Sequence, residues 1–258
     1  MKLYSKQYSD SGEPLVILHG LYGNHGNWST HARQLALYYA VYALDARNHG
    51  QSPWADTMSL HDMANDVAET LDGLGLRDAH LLGHSMGGKT AMLLALQQPQ
   101  RVRSLVIVDI APVAYARAED PVQDALAALD PAQLASRSEA DAQLAERIQS
   151  KAVRDFLLTN LQRSDSGFQW RINVPVIRDC FDEITGWPEI AKPYTGPTLF
   201  IRGETSSYIL PEHHDVMRRL FPNGAMKTVA NAGHWVHSEK PEAVQRLVGN
   251  FLADLQGK

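Results

Sequence analysis

The chain of 258 residues has one cysteine, no basic cluster and no long apolar run. The single cysteine, Cys180, has no partner for a disulfide within the chain, and the Cys and His spacings that hold zinc are absent. Lys and Arg number 24 against 29 Asp and Glu, which gives a formal net charge of −5. No stretch concentrates basic residues enough to follow a phosphate backbone. We therefore expect a protein of the reducing cytoplasm that binds no nucleic acid and needs no structural metal.

Segments typical of export or of a membrane are also missing. The N-terminal residues contain no apolar run of signal-peptide length, and no window approaches the roughly 18 apolar residues of a membrane span. With 44% apolar and 21% charged residues, the composition is nevertheless that of a folded globular chain. These features predict a soluble, unprocessed protein without a membrane partner, either monomeric or homodimeric.

Short apolar runs alternate with longer amphipathic segments. The runs are almost continuously apolar, which is typical of strands buried on both faces of a parallel sheet; they cover residues 15–18, 41–44, 80–82, 105–108 and 198–201. Among the amphipathic segments, residues 60–74 have apolar side chains at helical spacing, preceded by Ser59 with Asp62 as a capping box. This alternation predicts a doubly wound α/β fold.

The strand pattern is interrupted between the run that ends at 108 and the run that begins at 198. Residues 125–161 are rich in helix-forming types at helical spacing, and no buried-strand run is found there. We therefore expect one α/β core, built from residues 1–112 and 193–258, with an inserted helical cap at residues 113–192.

The segment 83–90 fits two functional patterns. Residues 83–87 read G-H-S-M-G, the nucleophile elbow that presents a serine hydroxyl between a strand and a helix. Residues 83–90 also match the phosphate-binding loop G-x-x-x-x-G-K-T, and the apolar run ending at Asp109 is similar to the magnesium-binding strand of such proteins. The elbow further requires an acid, a later histidine and an earlier oxyanion loop, and candidates for all three are present. We interpret the phosphate-loop match as accidental.

Four sequence blocks resemble those of the α/β-hydrolases, in the usual order and spacing. They are H-G at 19–20, D-A-R-N-H-G-Q-S at 45–52, G-H-S-M-G-G at 83–88 and A-G-H at 232–234. The R-N-H-G variant and the segment V-D-I-A-P at 108–112 make the chain similar to small bacterial esterases of the YbfF type. The resemblance covers the whole chain. It implies a mostly parallel, eight-stranded sheet with a helical cap, and hydrolysis of acyl esters or thioesters.

Ser85 is the predicted nucleophile and His234 the predicted base. A serine hydroxyl attacks poorly until a neighbouring base takes its proton. The last predicted strand is the alternating apolar run at 226–230, and of the 11 histidines only His234 and His237 follow it. The Gly-His pair leaves the imidazole of His234 free to turn towards Ser85. His19 and His84 are expected to make structural hydrogen bonds beside the motifs. The other histidines are interpreted as surface residues: His25, His31, His61, His80, His213, His214 and His237.

The acid is assigned to Asp109. Most α/β-hydrolases carry it after the seventh strand, where this chain has Ser206, and a serine cannot carry the charge that orients and stabilises the imidazolium. Asp109 ends a predicted strand whose carboxyl end should open onto the same sheet edge as Ser85. Ser206 is expected to be an additional hydrogen-bonding partner near His234, as the resemblance also implies. Glu204 is the alternative acid.

Backbone amides are predicted to stabilise the oxyanion, and aromatic side chains to line the substrate pocket. The amides are those of Leu21, after the H-G block, and Met86, after the nucleophile. An apolar pocket would suit an acyl chain, and four residues are candidates for its lining: Tyr22, Tyr208, Trp235 and Trp187. No cofactor or metal is expected, because the triad and the amides suffice for acyl transfer.

The predicted activity is that of a serine carboxylesterase or thioesterase, which forms an acyl-enzyme on Ser85 from a small-molecule ester or thioester. Carbon–carbon bond hydrolases and cofactor-free haloperoxidases use the same triad, so the fold alone does not choose among them. A ligand-binding relative without catalytic activity and a nucleotide-binding protein are the alternatives from other classes.

Overall fold

A computed structural model describes residues 1–116, 121–165 and 167–256. Nine strands lie within these ranges: β1 (Ser5–Gln7), β2 (Glu13–Leu18), β3 (Tyr39–Leu44), β4 (Ala79–His84), β5 (Val102–Val108), β6 (Leu161–Ser164), β7 (Gly167–Trp170), β8 (Thr198–Gly203) and β9 (Gly224–Val229). Seven of them form one sheet in the order β1-β3-β2-β4-β5-β8-β9. Only β1 pairs antiparallel in that sheet; the other pairings are parallel.

The doubly wound, mostly parallel sheet is confirmed, but its predicted strand number is wrong. The described residues form a main sheet of seven strands, not eight. The antiparallel edge consists of β1 alone, a strand of three residues. Turn-forming residues at 9–12, S-D-S-G, lead from it directly into β2.

Helices cover both faces of the sheet. Within the described ranges they are α1 (Ser29–Leu35), α2 (Leu60–Gly73), α3 (Met86–Gln97), α4 (Pro121–Ala128), α5 (Arg137–Ala145), α6 (Lys151–Leu158), α7 (Val174–Asp179), α8 (Phe181–Thr185), α9 (His214–Leu220), α10 (Val236–Glu239) and α11 (Pro241–Gln256). The predicted capping box is present, with the Ser59 hydroxyl accepting from the Asp62 amide. No helix of this part of the chain has the length and apolar character needed to cross a membrane.

Two apolar clusters fill the space between the sheet and its helices. The larger contains Leu71 of α2 and Met92 of α3, together with buried side chains of the segment between β5 and β8. The smaller lies on the opposite face and includes Leu35 of α1 and Leu252 of α11. Burial on both faces explains why the central strands are almost continuously apolar.

The segment between β5 and β8 contains α4 to α8 and a hairpin that the helical pattern of the sequence does not predict. β6 and β7 pair antiparallel, and Leu161, Phe168 and Trp170 of this hairpin are buried. Only four residues long, each strand has too few alternations to stand out from the helical pattern around it.

The parallel strands bring four motif residues to one edge of the sheet. His19 follows β2, Ser85 follows β4, Asp109 follows β5 and Glu204 follows β8. Because the carboxyl ends of parallel strands share an edge, residues far apart in the sequence meet there.

Candidate active site

Ser85 lies at the sharp turn from β4 into α3. Its φ of 51° and ψ of −119° are costly for a residue with a Cβ, and such strain is often found at functional sites. The flanking glycines make the turn possible. A Cβ on Gly83 would overlap the Gly87 carbonyl, and one on Gly87 would overlap the Leu18 carbonyl. The turn therefore holds the Ser85 hydroxyl above the sheet edge, as the elbow pattern predicts.

Ser85, His234 and Asp109 form a hydrogen-bonded chain. His234 Nε2 lies 3.0 Å from Ser85 Oγ, and His234 Nδ1 lies 2.8 Å from Asp109 Oδ2. An ionised carboxylate can only accept, so Nδ1 carries the proton and Nε2 accepts from the serine hydroxyl. In this arrangement the imidazole can take the Ser85 proton while the carboxylate faces its other side.

Asp109 is fully buried and accepts three hydrogen bonds. Oδ1 accepts from the Gly203 amide at 2.9 Å, and Oδ2 accepts from the Ser206 hydroxyl as well as from His234. Three donors compensate the cost of burying a carboxylate. The alternative acid, Glu204, accepts instead from the Asn231 amide at 2.8 Å. The structure thus brings Asp109 and Ser206 to His234, and directs Glu204 elsewhere.

The loop after β2 is held in place by two buried histidines. His19 Nδ1 donates to the Gly20 carbonyl at 2.8 Å, and its Nε2 accepts from the Ala46 amide at 2.9 Å. His49 Nδ1 donates to the Arg47 carbonyl at 2.9 Å, and its Nε2 accepts from the Tyr22 amide at 3.1 Å. Burial lowers the pKa of His49 to about 3 and also lowers that of His19, so both rings are neutral at pH 7 and can accept these bonds.

Leu21 and Met86, the two predicted oxyanion residues, both line the cavity at Ser85. Met86 is the first residue of α3, so its amide is among those that a helix leaves without an intrahelical acceptor. The helix dipole favours negative charge at the same end. Leu21 lies directly before Tyr22, whose amide is bonded to His49. Both predicted oxyanion residues therefore lie at the cavity beside Ser85.

Buried neutral histidines surround the candidate base. His84 donates from Nε2 to the His234 carbonyl at 2.9 Å, and its ring centre lies 4.7 Å from that of His234. The ring of His237 stacks on that of Trp28, with ring centres 4.3 Å apart. Burial lowers the pKa of His84 well below its ordinary value and that of His237 to about 3. Neither ring therefore places a second positive charge beside His234 at pH 7.

The assignment of three histidines to the surface is wrong. His31, His80 and His237 are buried. His31 bonds Gln245 and the His237 carbonyl, and His80 bonds Ser104 and Glu13. The sequence did not indicate this burial, because each ring depends on a partner far along the chain.

A cavity of about 460 Å³ opens at Ser85. Three of the predicted aromatic residues, Tyr22, Tyr208 and Trp235, line it. The ring of Tyr208 also stacks on His234, with centres 3.9 Å apart. The fourth, Trp187, is not placed at this cavity; it is half-buried and packs against the larger apolar cluster. Its prediction rested on the general apolar character of the inserted segment, which did not show where each ring would point.

The segment between β5 and β8 supplies an apolar wall of the cavity. Its contribution consists mainly of aliphatic and aromatic side chains: Val122, Val153, Phe156, Leu157, Phe181 and Ile184. Lys89 also lines the cavity, and its only signal in the sequence is its place in the phosphate-loop match. Within residues 1–116, 121–165 and 167–256, no group of three His, Cys, Asp or Glu side chains is arranged to hold a metal ion.

Comparison with known proteins identifies the family. The profile of the alpha/beta hydrolase fold family matches residues 13–241. The chain belongs to the alpha/beta hydrolase fold family. This hydrolase-fold chain is 42% identical over 248 residues to a mouse protein named sn-1-specific diacylglycerol lipase ABHD11, covering 93% of the chain and 80% of the mouse protein.

Two further relatives of this hydrolase-fold chain match it along nearly the whole length. Esterase YbfF of Escherichia coli K12 is 36% identical over 255 residues, which cover 98% of each protein. A solved structure, described as a marine microorganism esterase, superposes with a TM-score of 0.94 at 36% identity and covers 97% of this chain and 99% of its own.

Proposed function

We propose that this protein is a serine esterase that hydrolyses small-molecule acyl esters or thioesters through an acyl-enzyme on Ser85. The observation that carries the proposal is the hydrogen-bonded chain from Ser85 through His234 to Asp109, at 3.0 Å and 2.8 Å, beside an apolar cavity. The esterase and lipase names of its relatives support the same reaction class.

Acylation begins when Ser85 Oγ attacks the substrate carbonyl carbon. The hydroxyl proton passes to His234 Nε2, and Asp109 stabilises the resulting imidazolium while keeping the ring oriented. The carbonyl oxygen becomes an oxyanion, which accepts hydrogen bonds from the amides of Leu21 and Met86. The tetrahedral intermediate then collapses: the bond to the leaving group breaks, and His234 gives its proton to the departing alcohol or thiol.

Deacylation repeats these steps with water. His234 takes a proton from a water molecule, whose oxygen attacks the acyl carbon, and the same two amides hold the second oxyanion. Collapse breaks the bond to Ser85 Oγ, which recovers its proton from His234 and releases the acid. His84 and His237 are neutral at pH 7, so the positive charge that forms on His234 meets no repulsion from them.

Residues 113–192 act as a cap that supplies the acyl side of the cavity. The apolar side chains of α6 and α8 that line the cavity support this role, since an acyl chain gains about 0.8 kcal/mol for each buried methylene. Ester and thioester substrates share this acyl part and differ only in the leaving group. Cytoplasmic location and a monomeric or dimeric state stay predictions.

A panel of p-nitrophenyl esters and acyl-CoA thioesters, assayed with the wild type and Ser85→Ala, tests the proposal. We expect turnover by the wild type, with an initial burst where deacylation is slow, and no burst with Ser85→Ala. A fluorophosphonate should label the wild type at Ser85, as mass spectrometry of the digested protein can establish.

Two outcomes would contradict the proposal. Absence of label at Ser85 together with absence of turnover across the panel would favour a ligand-binding relative without catalysis. Saturable ATP binding that Lys89→Met abolishes would instead support the phosphate-loop reading. The structure argues against that reading, because the Lys89 ammonium points to carbonyl groups of the inserted segment.

A further inference from the structure

Lys89 is a buried amine on the wall of the cavity. It lies on α3, four residues after Ser85, and only 2% of its surface is exposed. Among the described residues that line the cavity, it is the only one with a Lys, Arg, Asp or Glu side chain. Burial lowers the pKa of Lys89 to about 7, because the surroundings penalise the charged form.

The partners of Lys89 are carbonyl groups rather than a carboxylate. Nζ donates to the Thr185 carbonyl at 2.5 Å and to the Gly186 carbonyl at 2.7 Å, and it lies 4.8 Å from the ring centre of Tyr115. In the part of the chain that the structure describes, no Asp or Glu pairs with it. Both carbonyls lie at the C-terminal end of α8, where a helix leaves such groups without intrahelical donors.

A second set of contacts joins the same helix end to the candidate base. The Thr185 carbonyl also accepts from the Tyr115 amide at 3.1 Å. The Tyr115 hydroxyl donates to the Tyr208 carbonyl at 2.6 Å, and the Tyr208 ring stacks on His234. The end of α8 is therefore tied to the nucleophile helix by Lys89 and to the side of His234 by Tyr115.

We propose that Lys89 is a positioning residue that fixes α8 over the nucleophile helix and thereby sets the acyl-chain selectivity of the cavity. Phe181 and Ile184 of α8 line the cavity, so the position of this helix decides how much apolar wall a long acyl chain can contact. A short acyl group ends near the Ser85 hydroxyl and needs little of that wall. This inference rests on the proposed esterase function.

Lys89→Met tests the role, because methionine keeps much of the side-chain volume but cannot donate to the two carbonyls. We expect KM for p-nitrophenyl octanoate to rise about fourfold, which corresponds to the loss of apolar contact by roughly one methylene. Because an acetyl group needs little of the apolar wall, we expect the octanoate-to-acetate ratio of kcat/KM to fall by about the same factor. A merely structural role would not separate the two substrates in this way.

Tyr194→Phe is the matched control. The Tyr194 hydroxyl is buried and donates to the Val102 carbonyl at 3.0 Å, and Tyr194 is not among the residues of the cavity wall. This variant also loses a buried bond from a side chain to a carbonyl. We expect a lower melting temperature and an unchanged octanoate-to-acetate ratio of kcat/KM.

An equal loss on acetate and octanoate, or no change on either, would overturn the role assigned to Lys89. If Lys89→Met does not fold, Lys89→Gln supplies the same test, because its amide can donate to one of the two carbonyls. For that variant we expect a rise of about twofold in KM for octanoate, and an unchanged KM would overturn the role. Failure of the esterase function itself would show differently, as wild-type protein inactive on both esters.

Discussion

At the scale of single residues, the buried carboxylate of Asp109 has the sharpest consequence for catalysis. Asp109→Asn keeps the shape of the side chain, but its amide can donate to His234 Nδ1 and would then favour the tautomer with the proton on Nε2. We expect kcat to fall by about four orders of magnitude, because that imidazole cannot accept the Ser85 proton. Steady-state kinetics on one ester measures this.

Two companion variants separate Asp109 from its neighbours. Glu204→Gln should leave kcat nearly unchanged, since Glu204 bonds Asn231 rather than His234. Ser206→Ala removes one of three donors to the carboxylate and should lower kcat only about tenfold, the size expected for one charged hydrogen bond. Near-normal kcat in Asp109→Asn, with a large loss in Glu204→Gln, would move the acid to Glu204.

His49 is expected to act through its hydrogen bond with the backbone amide of Tyr22. His49→Phe keeps a ring of similar size but removes the acceptor of the Tyr22 amide, next to the candidate oxyanion amide of Leu21. We expect kcat to fall at least about tenfold with KM little changed, because the amides act on the oxyanion and not on the bound ester. The comparison of kcat with KM for one ester measures this.

His61→Gln is the control for the His49 variant, since His61 is exposed on α2, where it bonds Gln97. Its kinetics should match the wild type. A rise in KM with unchanged kcat in His49→Phe would show that His49 serves substrate binding rather than the oxyanion loop.

At the scale of elements, buried asparagines join the inserted segment to the core. Asn160, directly before β6, is fully buried and donates from Nδ2 to the Tyr22 carbonyl at 2.6 Å. Asn173, directly before α7, makes two hydrogen bonds with Asn48. The segment is thus hydrogen-bonded to the loop after β2 and to the loop after β3, and does not only pack against them.

Removing the contact of Asn160 should affect stability and catalysis together. Asn160→Ala leaves the buried Tyr22 carbonyl without this donor, which costs about 1–3 kcal/mol in the free energy of unfolding. We expect kcat to fall as well, because Tyr22 adjoins Leu21. Urea unfolding and ester kinetics on the same preparation measure both effects; a loss of stability at full kcat would contradict the link to the oxyanion loop.

The elements also show what the sequence could and could not predict. Strands β2 to β5 and β8 were found because burial on both faces makes them almost continuously apolar. β1 and the β6–β7 hairpin were missed, since strands of three or four residues have too little pattern.

The same contrast holds within the site. The placement of Ser85 and Asp109 at one sheet edge could be predicted, because each directly follows a parallel strand, and His234 lies in the loop after the last strand. The contacts of Lys89, Asn160 and His237 could not, because each depends on a partner brought near by the tertiary fold. The placement of Trp187 failed for the same reason.

At the scale of the whole molecule, the buried histidines make folding sensitive to acid. Burial is the largest cause that lowers the pKa in each of five: His19, His49, His80, His84 and His237. Below the ordinary histidine pKa of about 6.5, the unfolded chain binds protons that these folded rings do not. The free energy of unfolding must therefore fall as the pH falls, until the folded rings take up protons themselves.

The fall in the free energy of unfolding can be given a magnitude for His237 and His49, because both have folded pKa values of about 3. Between pH 7.5 and pH 5, each should lower the free energy of unfolding by about 2 kcal/mol, which urea denaturation at the two pH values measures. His237→Phe keeps a ring against Trp28 but cannot titrate. Between these pH values its free energy of unfolding should therefore fall by about 2 kcal/mol less than that of the wild type. If the free energy of unfolding fell equally in His237→Phe and the wild type, His237 would already bind a proton in the folded protein above pH 5.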